Sequence, residues 1–166
     1  MKILAILMFS AALLSAAGAP QADIAGESVI GTWRLVSFKA QASDGSVREL
    51  YGPVPLGQLI YDHSGHMSVH LLKPDLPKCK TLDRRKCPAH AARLAFENYF
   101  GYWGKYQLNA AAGTITHHIE GASVPDWVNS SQERHFQVNG KRLILTTPAA
   151  KVAGIDSVQT LVWERE

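Results

Sequence analysis

Apolar and polar positions along this chain alternate with a period of two in a series of short runs, and turn residues separate the runs. Residues 31–38, Gly-Thr-Trp-Arg-Leu-Val-Ser-Phe, predict a first strand that ends at Ser43-Asp44-Gly45-Ser46. Val47 to Tyr51 predicts a second, stopped by Gly52-Pro53-Val54-Pro55. Gly57 to Tyr61 and His66 to Leu72 flank Asp62-His63-Ser64-Gly65, a hairpin signal. Further strands are predicted over Trp103 to Leu108 and Thr114 to Gly121. Gln132 to Val138 meets Leu143 to Thr147 through Asn139-Gly140, and Val158 to Glu164 closes the chain.

One stretch breaks this pattern. After Pro74 and Pro77, Pro88 stands at the first position of a predicted helix over Ala89 to Tyr99. Its Ala92, Ala95, Phe96 and Tyr99 recur at helical spacing and predict one buried face. The pattern as a whole predicts a mainly all-β protein: an antiparallel up-and-down barrel of about 8–10 strands with one short helix. Closing the sheet on itself removes the exposed edges that so many strands would otherwise present.

The first residues read differently. Lys2, the apolar run Ile3 to Leu14 and the small residues Ser15-Ala16-Ala17-Gly18-Ala19 predict a signal peptide over residues 1–19, with cleavage after Ala17, Gly18 or Ala19. The run falls short of the roughly 20 apolar residues a membrane span needs, so no stable membrane insertion of the mature protein is expected. One barrel domain would then occupy residues 24–166, secreted or periplasmic, as a monomer or weak dimer. Losing Lys2 leaves a formal charge of +2, too mild to imply a nucleic-acid partner. Cys79 and Cys87 are the only cysteines, and in an oxidising compartment a pair this close predicts a disulfide.

Several segments resemble the bacterial and fungal lipocalin-like domain proteins in an ordered set. They are residues 31–38, residues 57–69 (Gly-Gln-Leu-Ile-Tyr-Asp-His-Ser-Gly-His-Met-Ser-Val), residues 113–121 (Gly-Thr-Ile-Thr-His-His-Ile-Glu-Gly), Pro125-Asp126-Trp127 and residues 161–165 (Leu-Val-Trp-Glu-Arg). The Gly31-Thr32-Trp33 opening alone is a weak signal; the order of the whole set is specific. The resemblance implies a calycin-type barrel around a cavity, with Trp33 plugging one barrel end and Arg165 or Arg34 across its ring. The segment between Cys79 and Cys87 departs from the plainer family pattern. That loop and the helix after it are expected near one barrel end as a lid or plug.

Alternation sorts each barrel strand into an inner and an outer set. The sort places Tyr61, Met67, Val69, Tyr106, Ile115, His117, Ile119, Arg134 and Phe136 inside, and His66, His70, His118 and Glu120 outside. His117 and Arg134 are the charged or titratable exceptions in an apolar lumen, on consecutive strands. One reading makes them the head-group site of a small, mostly apolar ligand, anionic or carbonyl at one end. The ligand's body would then lie against Met67, Val69, Ile119 and Phe136, with the hydroxyls of Tyr61 and Tyr106 in the same lumen. The other reading makes His117 a satisfied core histidine and pairs Arg134 with a carboxylate or backbone carbonyls. An isomerase or cyclase using this cavity is a further alternative. So is an envelope protein with a filled barrel that acts through its surface. His117 and His118 face opposite ways and cannot share an ion, and no cofactor fingerprint occurs, so neither metal nor cofactor is expected.

Overall fold

The computed structural model describes residues 28–152 and 154–166; the expected leader lies outside the described residues. The elements in chain order are β1 (Gly31–Ala42), β2 (Val47–Glu49), β3 (Leu56–Tyr61), β4 (His66–Leu72), α1 (Ala89–Glu97), β5 (Tyr99–Asn109) and β6 (Thr114–Ala122). They continue with β7 (Ser131–Asn139), β8 (Arg142–Thr146), β9 (Ala150–Val152) and β10 (Ile155–Arg165). Single 3-10 turns occupy Arg84–Lys86 and Pro125–Trp127.

Antiparallel pairing runs β1–β3–β4–β5–β6–β7–β8–β10, and β10 then pairs with β1 along Trp33–Ala42, so eight strands close into a barrel. β2 and β9 are short flaps on β1 and β10. Alternation along the strands separates the faces: β4 reads exposed at His66 and His70 but buried at Met67, Val69 and Leu71. The inner set packs as one cluster in which Trp33, Trp163, Leu59, Ile115 and Leu143 are wholly inaccessible. Burial of each such side chain contributes roughly 1.5–3 kcal/mol.

One barrel end is sealed. Trp33 donates from Nε1 to the Val29 carbonyl at 2.8 Å, and the Arg165 guanidinium lies 4.1 Å above its ring. Arg165 also donates to the carbonyls of Ser28 and Ile30, which ties the end of β10 to the segment ahead of β1. Gly31 makes room for this clamp, since a Cβ there would stand 2.7 Å from Arg165 Nη1.

The stretch between β4 and β5 differs from the expectation. β5 begins at Tyr99, so Tyr99 leaves the helix, and α1 ends at Glu97. The helix turns Ala91 inward, with Leu94 and Ala95 half-buried, whereas Ala92 and Phe96 are exposed. The reason lies at its end. Asn98 donates from its side chain to the Leu94 carbonyl and accepts from the backbone N–H of Lys73, which fixes the helix rotation against the chain leaving β4. The disulfide Cys79–Cys87 closes the preceding loop.

Where β5 meets β6 the register shifts between Trp103 and Gly104, and Glu120 is the extra residue of the bulge. The two backbones come so close there that a Cβ on Gly104 would stand 2.0 Å from the His118 carbonyl oxygen. Backbone cannot swing aside as a flexible side chain can. Gly104→Ala is therefore expected to destabilise the barrel by more than about 2 kcal/mol. Urea unfolding reads this directly, and a variant as stable as the parent would contradict it.

Candidate functional site

A cavity of about 740 Å³ occupies the unsealed half of the barrel. Its inner wall includes Leu59, His117 and Trp163, all fully buried, and exposed Ser131, Glu133 and Lys151 stand at its rim. Between them the wall is apolar and aromatic. Phe38 meets Tyr51 edge to face at 5.4 Å between ring centroids on one side. Phe100, Tyr102 and Trp127 form a second group, with Phe100–Trp127 at 4.7 Å and Tyr102–Trp127 at 5.7 Å. Trp127 is placed by the 3-10 turn Pro125–Trp127, whose carbonyl of Trp127 accepts from the Ser130 hydroxyl at 2.7 Å.

The polar core of the site is His117. It is 1% exposed, and both ring nitrogens are engaged: the Tyr61 hydroxyl lies 2.6 Å from Nε2 and the Tyr102 hydroxyl 2.8 Å from Nδ1. Strand register makes this contact. β5 and β6 place Tyr106 opposite His117, with Tyr102 further along the same inner face, while Tyr61 arrives from β3. Burial, reinforced by the Arg134 charge and then by His118, lowers the His117 pKa to about 3. The imidazole is therefore neutral at physiological pH. Burial likewise raises the pKa of both tyrosines, Tyr61 the more so, and each keeps its hydroxyl proton.

Arg134 projects inward from β7, half-buried, and donates from Nη1 to the Glu133 carbonyl at 2.7 Å. It also acts on Tyr102 by charge and by hydrogen bonding, both of which lower that hydroxyl's pKa against the larger effect of burial. Gln132, opposite His117 in the β6–β7 register, completes the polar arc and donates to the Ser130 hydroxyl at 3.2 Å.

The structure thus brings His117, Arg134 and Val69 to the cavity wall. Tyr61 stands behind His117 rather than on the wall, and Met67, Tyr106, Ile119 and Phe136 belong to the packed core. Tyr106 stacks edge to face on Tyr61 at 4.8 Å and donates to the Asp62 carbonyl at 2.8 Å. The segment from Lys73 to Asn98, expected as a lid or plug, supplies no residue to the wall. Sequence reasoning missed Tyr102, Gln132 and Trp163. Tyr102 shares the parity of Tyr106 and Leu108, so a strand begun at Tyr99 rather than Trp103 would have found it.

A closed eight-stranded antiparallel barrel with an open apolar lumen is the architecture of a lipocalin-like protein. The chain belongs to the lipocalin-like domain family, whose pattern matches residues 30–166. A 4'-hydroxy-3'-methoxypropiophenone carrier protein of Aspergillus oryzae is 26% identical over 106 residues, which span 60% of this chain and 96% of that protein. The crystal structure of a lipocalin-like protein from Bacteroides uniformis superposes with a TM-score of 0.43 at 12% identity, covering 84% of this chain and 99% of the other.

The depressed His117 pKa has a consequence for stability. The unfolded imidazole takes up a proton near pH 6.5, whereas the folded one resists until about pH 3. Stability from this group is therefore complete above pH 6.5 and is lost as pH falls towards 3. Between pH 7 and pH 5 the loss is about 2 kcal/mol. His117→Gln should lose that much less over the same interval in urea unfolding. An equal pH dependence in both proteins would contradict a buried neutral imidazole.

Proposed function

We propose that this chain is an exported carrier that holds a small, mostly apolar, aromatic molecule in the barrel lumen. The observation that carries the proposal is the cavity itself: about 740 Å³, walled by aromatic and aliphatic side chains, with a few convergent polar groups on its inner wall. A void of that size lies within the range of sites that hold small drug-sized molecules. The Aspergillus relative, which carries an aryl ketone, is consistent with this ligand class. The disulfide fits an oxidising compartment, and no helix among the described residues is long and apolar enough to cross a membrane.

Carriage suits the site better than an isomerase or cyclase reading. A general base must offer a free acceptor to the cavity, and both nitrogens of His117 are taken up by tyrosines. A filled barrel acting through its outer surface fits poorly with so large a lumen.

Native mass spectrometry of the protein recovered from the exporting cell tests both parts of the proposal. The expected chain starts at Gly18, Ala19 or Pro20 and carries one co-purifying small molecule. Gln132→Trp, which fills the lumen from β7, should come without it. An uncleaved chain would refute export, and a parent protein that neither co-purifies with nor takes up any aromatic compound would refute carriage.

A further inference from the structure

Tyr61, His117 and Tyr102 form a chain of hydrogen bonds whose direction can be deduced. A neutral imidazole has one N–H donor and one acceptor nitrogen, so one tyrosine must donate to it and the other must accept from it. Tyr61 is 1% exposed, and among the described residues its hydroxyl has a single hydrogen-bond partner, Nε2 of His117. Were Nε2 protonated, the Tyr61 hydroxyl proton would be buried with no acceptor, which costs on the order of 1–3 kcal/mol. Tyr61 therefore donates to Nε2, and the imidazole proton sits on Nδ1 and goes to the Tyr102 oxygen, 2.8 Å away. The Arg134 guanidinium, which has only donors, lines the same cavity as Tyr102. With its oxygen accepting, Tyr102 keeps its own O–H, and Tyr102 is part of the cavity wall.

We infer that this chain fixes the Tyr102 hydroxyl as a donor into the lumen, and that Tyr102 and Arg134 together recognise the carbonyl oxygen of an aryl ketone. The inference deepens the carrier reading and rests on it. Two donors, one of them cationic, select an electron-rich acceptor oxygen. Phe100 and Trp127 flank Tyr102 and supply ring faces and edges for the aromatic part of the ligand. His117 and Tyr61 act as positioning residues: neither needs to touch the ligand, yet both decide which way the Tyr102 proton points. Each hydrogen bond in such a chain polarises the next and makes Tyr102 a better donor than an isolated phenol.

The test compares para-hydroxypropiophenone with para-propylphenol, which keeps the ring and chain but lacks the carbonyl. Calorimetric titration should show the ketone binding at least about tenfold more tightly to the parent protein. Tyr102→Phe should erase that preference while still binding both probes weakly. Tyr61→Phe leaves the cavity wall intact and should reduce the preference by several-fold. Ring-nitrogen NMR of the ligand-free protein gives a separate readout, with pyridine-like Nε2 and protonated Nδ1 expected at His117. A protonated Nε2, or equal affinity for the two probes, would overturn the inference and leave the carrier reading standing. If neither probe binds a folded parent protein, aryl-ketone recognition and aromatic carriage both fail.

Discussion

Everything at this site depends on one constraint: a polar ring buried in an apolar barrel must satisfy both of its nitrogens. His117 meets it with two tyrosines from different strands, at 2.6 and 2.8 Å. The Tyr102 contact requires β5 and β6 to be in register, and the Tyr61 contact requires β3 to curve round to β6. The histidine is therefore a check on β3–β4–β5–β6 alignment. The cost of leaving it half-satisfied, on the order of 1–3 kcal/mol for each unmade bond, disfavours a slipped register.

The barrel is consequently divided along its axis. Towards the sealed end, Trp33, Met67 and Leu143 pack without space for a guest, and Arg165 clamps Trp33 to the chain ahead of β1. On the other side of His117 the barrel encloses the cavity, which Tyr51, Trp127 and Pro148 also line. Packing below and open volume above give the polar cluster a fixed position at the inner end of the lumen. Bulged β6 and the contact at Gly104 hold Tyr102 on the inner face, in line with Tyr106. The conformational cost of organising the donors is thereby met in folding rather than on binding.

Much of this was legible in the chain. Alternation in β4 and β7, and in β6 beyond Thr114, separates lumen from solvent, and the split of His117 from His118 follows from period two alone. Asn139-Gly140 and Asp62 to Gly65 mark their hairpins, and the cysteine spacing marks its bond. The partners of His117 were harder to see. Period two turns Tyr61 inward but names no partner for it, and a strand that begins at Trp103, after a helix ending at Tyr99, leaves out Tyr102. The rotation of α1 escaped for a similar reason. Ala92 and Phe96 have helical spacing, but the hydrogen bonds of Asn98 decide which stripe faces the barrel. Periodicity reports which residues can share a face; it does not report which distant residues meet.

We infer that His117 and its tyrosines orient a donor towards the lumen, where an aryl ketone would meet it. A crystal structure of the protein with para-hydroxypropiophenone bound would show that orientation. The ketone oxygen should lie within hydrogen-bond distance of the Tyr102 hydroxyl and the Arg134 guanidinium, with the aromatic ring beside Phe100 and Trp127. A ketone oxygen turned out towards the rim, or the compound seated on the outer face of the barrel, would contradict it.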